Sequence, residues 1–228
     1  MKKMISILAA LMLLCTLAVG ASAQSAVDVI LSAGTTQAFK ADAVAEDDLN
    51  AILMAGLSAA SAINQQPWHF AVITNPETMK DVSSGGMGMG GAPAGMPAGA
   101  PPAGAPAGMP AGMPASSGAK AAMGDSPVAI VIYMNEGTAS PDPNFDCGLA
   151  AQNMVIAANA LGYGTKIVSA PTMTLNGERP DEICEKLGVN KAYKAVAVVL
   201  VGYTDTDVDG ATGASVRNAL EEKVSFSK

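Results

Sequence analysis

The sequence SAINQQPW, Ser61–Trp68, is the stretch that decides the fold. Before it, Glu46–Ala60 carries apolar residues at helical spacing, and its first turn is acidic, where the helix dipole favours negative charge. After it, His69–Thr74 is a short apolar run typical of a strand. Pro67 separates the two elements because it disfavours a helical backbone in the preceding residue. This part of the chain therefore predicts a helix, a polar turn and a strand.

Two longer apolar runs, Val128–Tyr133 and Ala195–Val201, predict the centre of the sheet. The second run has no polar alternation, so we expect both of its faces to be covered. Between them we predict a helix that is capped by Asp146 and closed by Gly162 and Gly164. Strands interleaved with helices around one covered sheet indicate an α/β or α+β layered domain. Further predicted elements are a helix beginning at Asn75–Glu77, a strand at Lys166–Val168 and a helix at Pro180–Leu187.

Residues 83–123 have a different composition. Pro-Ala units recur at nearly every fourth position among Gly and Met, with no charge before Lys120 and no aromatic residue. Such a segment buries too little surface to offset the entropy of ordering, so we predict a disordered insertion. An alternative is Cu(I) binding by thioethers, but methionine is also simply tolerated in low-complexity sequence, and we favour the latter. The methionines concerned are Met87, Met89, Met96, Met109 and Met113.

The first 23 residues have the pattern of a secretory signal. Lys2 and Lys3 precede the apolar run Ile7–Val19, and Ala21–Ala23 supplies the small residues that a signal peptidase reads before Gln24. The run is short for a membrane span, which needs about 20 residues. We therefore expect a protein that is exported across the cytoplasmic membrane, periplasmic or extracellular, and soluble after cleavage, with residues 24–228 forming one domain around the insertion.

Charge and cysteine content exclude several classes of function. The chain has a formal net charge of −7, and removal of Lys2 and Lys3 with the signal leaves 11 cations against 20 acids, a charge of −9. That balance argues against nucleic acid or an anionic membrane as a partner. One His and three Cys leave no His/Cys cluster for a zinc site. Spacing alone does not decide whether Cys147 and Cys184 form a disulfide.

Ser61–Trp68 resembles the Ser-Ala-x-Asn-x-Gln-Pro-Trp segment of the nitroreductase family. Gly148–Gly164 is similar to the family's second helix with its Gly-rich exit, and Gly202-Tyr203 with Arg217–Glu222 is similar to its C-terminal tail. The resemblance implies an α+β fold with a nitroreductase-like central sheet covered by helices on both faces. It also implies FMN at the interface of a homodimer, with tails exchanged between subunits.

The resemblance also assigns residues to the cofactor by position. It implies that Ser61, Asn64 and Gln66 contact the isoalloxazine ring, that Gly164 lies close to it, and that Arg217 meets the phosphate. The alternative for Asn64 and Gln66 is that they only satisfy a polar turn. We interpret Trp68 and His69 as a core residue and an ordinary strand residue. No catalytic residue is assigned, because a flavin carries out its own redox chemistry.

One departure from the family concerns the phosphate. The family usually has an Arg-Arg-Ser-x-Arg cluster where this chain has Ala33–Gln37, AGTTQ, so its charge-assisted clamp is missing. The run DGATGAS, Asp209–Ser215, resembles the motif at which an FMN transferase attaches FMN covalently, although the acceptor is more often Thr than Ser. A covalent tether removes the need for tight noncovalent binding of FMN, so the missing arginine cluster and the acceptor-like run fit one explanation. The alternative is a flexible Gly/Ala/Asp turn. The motif positions are Asp209, Thr212, Gly213, Ala214 and the acceptor Ser215.

These observations predict an extracytoplasmic FMN-dependent oxidoreductase of nitroreductase fold, with FMN attached through a phosphoester to Ser215. Since NAD(P)H is cytoplasmic, we expect a membrane electron-transfer protein or another flavoprotein as the electron donor, besides the FMN transferase as a partner. Two alternatives remain open at the level of sequence. One is an electron carrier that bears the same flavin without a small-molecule substrate, and the other is a flavin-free secreted binding module.

Overall fold

The computed structural model describes residues 25–84, 123, 126–177, 180–213 and 217–227. The predicted signal segment and nearly all of the predicted insertion lie outside these residues. The chain divides into two compact units after Ala33. In the described part of the first unit, α1 (Ala26–Ser32) begins after Ser25, whose Oγ accepts a hydrogen bond from a backbone N–H of the first turn at 3.1 Å. The second unit, Gly34–Lys228, contains the other elements.

A four-stranded antiparallel sheet forms the centre of the second unit, in the order β2-β3-β5-β4. A separate two-stranded ladder joins β1 and β6. Because every pairing is antiparallel, the layered domain is of the α+β type. The strands are β1 (Thr35–Thr36), β2 (Trp68–Ile73), β3 (Val128–Met134), β4 (Gly164–Val168), β5 (Lys194–Gly202) and β6 (Thr212–Gly213).

Helices cover both faces of the sheet. Alternate residues of the central strands enter two cores: Val131 and Val198 belong to one, and Ile130 and Val199 to the other. All seven residues of β3 are buried, which confirms that this sheet is covered on both sides. Two helices pack on the core that contains Ile130 and Val199: α2 (Glu46–Leu57) and α4 (Pro143–Ala160). Three helices pack on the core that contains Val131 and Val198: α3 (Pro76–Ser84), α5 (Pro171–Leu175) and α6 (Pro180–Leu187). The last helix of this unit, α7 (Leu220–Lys223), lies in the tail.

Two predicted boundaries of α4 are wrong. Its N-cap is Asp142, whose Oδ1 accepts a hydrogen bond from the backbone N of Phe145 at 3.0 Å, because Pro143 favours the first helical position. Asp146 is therefore inside the helix. At the other end Gly162, with a φ of 88°, adopts the left-handed conformation that follows a helix, whereas Gly164 already begins β4.

The two described cysteines lie on opposite faces of the sheet. Cys147 is in the core beneath α4, and Cys184 is in the core beneath α6; both are buried and free. The sheet between them keeps the two sulfur atoms apart, so they form no disulfide. Within the described ranges, no helix combines the length and the apolar character needed to cross a membrane.

Candidate functional site

The turn Ser61–Gln66 has an unusual backbone. Ala62–Asn64 forms a single 3-10 turn, and three non-glycine residues have positive φ angles: Ile63 at 46°, Asn64 at 57° and Gln66 at 45°. Such conformations cost about 1–3 kcal/mol each and persist only where the surrounding structure imposes them. A β-branched residue in this region is a particular outlier. Strain that is concentrated in so few residues indicates a functional segment.

Side chains of the turn hold one another in place. Ser61 Oγ accepts a hydrogen bond from the backbone N of Gln66 at 3.0 Å, and Gln66 Nε2 donates to Asn64 Oδ1 at 3.1 Å. Gln65 Oε1 accepts from the backbone N of Ala139 at 2.9 Å. The structure therefore brings Ser61, Asn64 and Gln66 together. Both amide side chains are exposed, while Trp68 is buried in the core, as predicted.

Asp146 anchors this turn to α4. Its carboxylate, only 2% exposed, accepts hydrogen bonds from the backbone N of Ala62 at 3.2 and 3.3 Å and from Ser140 Oγ at 2.7 Å. Burial, together with the charge of Asp146, raises the pKa of the Cys147 thiol to about 12. Sequence reasoning misassigned Asp146 because an acidic residue near a helix start also suits a cap. A cavity of about 250 Å³ lies beside the anchor, lined by residues that include Ala60, Ser61, Pro141, Phe145 and Leu149.

A second cluster surrounds the start of β4. A Cβ atom at Gly164 would collide with the hydroxyl groups of Thr36 and Thr204. Their Oγ1 atoms are 3.0 Å apart and share a hydrogen bond, so β1 approaches β4 at a position that only glycine leaves open. Gly164, predicted as a site residue, therefore lies against β1.

The ladder of β1 and β6 joins two segments that the sequence singled out. Thr35 pairs with Gly213 and Thr36 with Thr212, and Gln37 donates its backbone N–H to the carbonyl of Ala211 at 2.7 Å. Thr35–Gln37 thus lie beside Ala211–Gly213. Of the predicted motif, Asp209, Thr212 and Gly213 are described, whereas Ala214 and Ser215 lie outside the described residues. Arg217, the remaining predicted site residue, is exposed.

A cation reaches the same segment from β4. Lys166 Nζ donates a hydrogen bond to Gln37 Oε1 at 2.8 Å. Within the part of the chain that the structure describes, Lys166 forms no ion pair with a carboxylate. Sequence reasoning missed this residue, which is separated from Gln37 by 129 positions and was assigned only to a strand. The available signal was a lysine in an otherwise apolar run.

Two tyrosines lie next to this cluster, and one of them, Tyr203, lines a shallow cavity. Tyr163 donates a hydrogen bond to Asp48 Oδ2 at 2.7 Å, and Tyr203 lies with its hydroxyl 3.5 Å from that of Tyr163. The hydrogen bonds with Tyr203 and Asp48 raise the pKa of Tyr163 to about 12. The cavity, of about 680 Å³, is lined by Lys40, Asp42, Ala43, Gly162, Tyr203, Thr204 and Thr206.

The strained turn and the Gly164 cluster are far apart within one chain. Trp68, just after the turn, lies level with Met134 and Lys194, whereas Gly164 pairs with Gly202 at the other end of β5. At the usual strand rise, the offset between Lys194 and Gly202 is roughly 26 Å along β5, and the three strand spacings from β2 to β4 add about 14 Å across the sheet. The structure therefore does not bring Ser61, Asn64 and Gln66 to the same place as Gly164.

The fold and these segments define a nitroreductase-type domain. A model of the nitroreductase family matches residues 30–203, which is more than half of the chain, and the protein belongs to that family. Two curated relatives carry the provisional name NADH dehydrogenase/NAD(P)H nitroreductase. The one from Archaeoglobus fulgidus is 24% identical over 73% of this chain and 78% of its own. The one from Methanothermobacter thermautotrophicus is 27% identical over 53% of this chain, which spans only 48% of that relative.

Solved structures confirm the nitroreductase-like α+β fold. A nitroreductase with bound FMN from Bacteroides fragilis has a TM-score of 0.67 at 18% identity, covering 90% of this chain and 99% of that one. Another with bound FMN, from Desulfitobacterium hafniense, has a TM-score of 0.67 at 21% identity, covering 89% and 98%. Identities this low establish the fold and leave the activity to be argued from the residues.

Proposed function

We propose that this protein is an extracytoplasmic FMN-dependent oxidoreductase of nitroreductase fold, with FMN attached through a phosphoester to Ser215. The observation that carries the proposal is the ladder of β1 and β6. In this ladder Thr212 and Gly213, two residues of the run that resembles a flavin acceptor motif, pair with Thr36 and Thr35 of the segment that lacks the arginine clamp of the family. This pairing supports the proposal that a covalent attachment replaces the missing clamp.

The strained turn fits the ring end of FMN. Its exposed Asn64 and Gln66 side chains present amide donors and acceptors and bond each other, and the Ser61 hydroxyl accepts from the backbone N of Gln66. These groups suit the hydrogen-bonding edge of an isoalloxazine ring, and Asp146 holds the turn in the strained form. When bound, FMN would supply the electron-transfer chemistry of an oxidoreductase, while the chain sets its position and electrostatic surroundings.

The β1 segment fits the phosphate end. Thr35 contributes a half-buried hydroxyl group, and Lys166 contributes a positive charge at Gln37. A phosphodiester carries about one negative charge, whereas a free phosphate monoester carries nearly two at neutral pH. One lysine with neutral donors, aided by Arg217, is therefore a sufficient complement for a tethered cofactor.

The separation of the two clusters supports a homodimer. A ribityl chain is too short to span from the strained turn to the Gly164 cluster of the same chain, so one flavin would take its ring contacts and its phosphate contacts from different protomers. The described tail also exposes apolar side chains, with Leu220 at 62% and Phe226 at 75%. A partner subunit that receives this tail would cover them.

The electron donor follows from the compartment. The N-terminal sequence predicts export, where NAD(P)H is not supplied, so we propose a membrane or extracytoplasmic electron-transfer protein as donor. Both curated relatives bear NAD(P)H names, and this chain would differ from them in its source of electrons. Reduction assays with NADH and with a reduced electron-transfer protein in parallel would separate the two sources.

Intact mass tests the covalent attachment. The mature protein is made in an exporting host together with an FMN transferase, beside Ser215→Ala and the control Ser225→Ala in the exposed tail. We expect an adduct of FMN minus water on the wild type and on the control, and none on Ser215→Ala. An unmodified wild type under these conditions would refute the attachment, and a modified Ser215→Ala would move it to another residue.

A further inference from the structure

The cavity beside the strained turn has walls that are almost entirely apolar. Ala60, Pro141, Phe145 and Leu149 contribute to them. The volume of about 250 Å³ lies below the range of roughly 300–1,000 Å³ that is typical of drug-sized ligands. An apolar cavity of about 150 Å³ is already large enough to hold benzene. The cavity therefore suits a single ring with a small substituent.

Phe145 gives this cavity an aromatic face. Its side chain lines the cavity and is nevertheless 63% exposed, so it stands at the mouth. The backbone of Phe145 is fixed, because its N–H donates to the helix cap Asp142 at 3.0 Å. Aromatic side chains prefer offset-stacked or edge-to-face contacts with another ring. A flat ligand that enters the cavity would cover this exposed side chain.

No cation faces the cavity among the described residues that line it, and its two carboxylates are already engaged. Asp142 accepts from the backbone N of Phe145. The buried carboxylate of Asp146 accepts from Ala62 and Ser140. An anionic ligand would leave water for apolar walls near two like charges, and no ion pair would compensate for the lost hydration. An uncharged ring avoids this cost.

We propose that this cavity admits the electron acceptor of the oxidoreductase and selects an uncharged single ring over its anionic counterpart. Ser61 and Ala62 belong both to the cavity wall and to the strained turn. A ring held against Phe145 thus lies beside the segment that presents the two amide side chains. The inference rests on the proposed function, in which that segment contacts the isoalloxazine ring. It adds the class of acceptor and Phe145 as a specificity-determining residue.

The larger cavity of about 680 Å³ is a less suitable place for such a ring. Its lining includes the charged Lys40 and Asp42 and the hydroxyl-bearing Tyr203 and Thr204. It lies next to the Gly164 cluster, at the phosphate end of the proposed FMN site. An acceptor has to approach the isoalloxazine ring instead, because the ring carries the redox chemistry of the cofactor.

Calorimetry with two isosteric probes, the neutral 4-nitrobenzamide and the anionic 4-nitrobenzoate, tests the selectivity. The sample is the mature chain, produced without the transferase and freed of unbound flavin. We expect the dissociation constant of the anion to be at least about tenfold higher than that of the amide. Phe145→Ala should raise the constant of the amide about fivefold. The control Met173→Ala, which removes an exposed apolar side chain from α5 on the other face of the sheet, should leave it unchanged.

Reoxidation of the dithionite-reduced holoprotein connects the cavity with the proposed function. Two electrons and two protons convert the nitro group of the amide into a nitroso group and water. The concentration of amide that gives half the maximal rate should rise about fivefold in Phe145→Ala, in parallel with the dissociation constant.

Three results would decide against these expectations. Equal affinity for the two probes, or wild-type affinity in Phe145→Ala, overturns the selectivity of the cavity. A half-saturating concentration that stays constant while the dissociation constant rises overturns its role as the acceptor site. A chain that acquires no FMN refutes the proposed function instead, and the calorimetric comparison still decides the selectivity.

Discussion

Lys166 Nζ lies 2.8 Å from Gln37 Oε1, and this hydrogen bond connects the third residue pair of β4 with the segment that follows β1. It introduces a positive charge from the sheet into a segment that has none of its own between Ala33 and Gln37. The family pattern supplies arginines in that segment, whereas this chain supplies a lysine from a strand distant in sequence.

Lys166→Gln should weaken noncovalent FMN binding. In a Ser215→Ala background, where no ester can form, we expect the dissociation constant for FMN to rise about tenfold, since a hydrogen bond to a charged group contributes about 1.5–3 kcal/mol. The exposed Lys191→Gln is the control and should leave the constant unchanged. Titration of FMN fluorescence measures both. Equal constants for the two variants would exclude Lys166 from the phosphate site.

Asp146→Ala should destabilise the protein through the strained turn. It leaves the partly buried N–H of Ala62 and the buried Ser140 hydroxyl without their acceptor, a loss of about 3 kcal/mol. Removal of the helix cap by Asp142→Ala should cost only about 1 kcal/mol. Urea unfolding of both variants gives the difference. A smaller effect for Asp146→Ala than for Asp142→Ala would contradict the assigned anchor.

Gly164→Ala should disturb the contact between β1 and β4. Its methyl group would meet the Thr36 and Thr204 hydroxyls, and overpacking of this kind costs about 1–3 kcal/mol. Gly148→Ala in α4 is a matched control, because no atom lies within 4 Å of the added Cβ and alanine favours a helix by up to about 1 kcal/mol. The temperature of thermal unfolding should therefore fall for Gly164→Ala and rise for Gly148→Ala. A shift in the same direction would indicate that β1 yields to the added methyl.

Tyr163→Phe should change the response to alkaline pH. The ordinary tyrosine pKa is 10.0, and that of Tyr163 is about 12, chiefly because of its hydrogen bonds with Tyr203 and Asp48. Between these values the unfolded chain loses the proton that the folded chain keeps, so the stability from Tyr163, present below pH 10, is lost as the pH rises to 12. Between pH 10 and 12, the free energy of unfolding of Tyr163→Phe should decrease less steeply than that of Tyr193→Phe. Equal slopes in urea unfolding would argue against the shift.

The sequence predicted the sheet well because its strands are decided by local composition. The apolar runs of β3 and β5 have no alternation, and the structure buries them from both sides. Helix α3 begins where Asn75 was expected to cap it, with Oδ1 accepting from the backbone N of Glu77 at 2.9 Å. Patterns of this kind depend on neighbours in the chain, so they can be read without tertiary information.

The candidate site was less predictable because its decisive contacts join distant positions. Nothing near Asp146 indicates that its carboxylate bonds Ala62, 84 residues away, in place of capping its own helix. The pairing of Thr212–Gly213 with β1 is equally nonlocal, since small residues in a turn-like run give no sign of a partner strand. The three left-handed residues of the turn could not be anticipated either, because none of them is a glycine.

The distance between the strained turn and the Gly164 cluster has a genetic consequence. If each flavin is shared, a chain defective only in the turn and a chain defective only at Ser215 would complement each other when they are produced together. Their heterodimer would contain one intact site and one doubly defective site, so activity would return to about half of the wild-type value per heterodimer. Neither defective chain produced alone would show this activity.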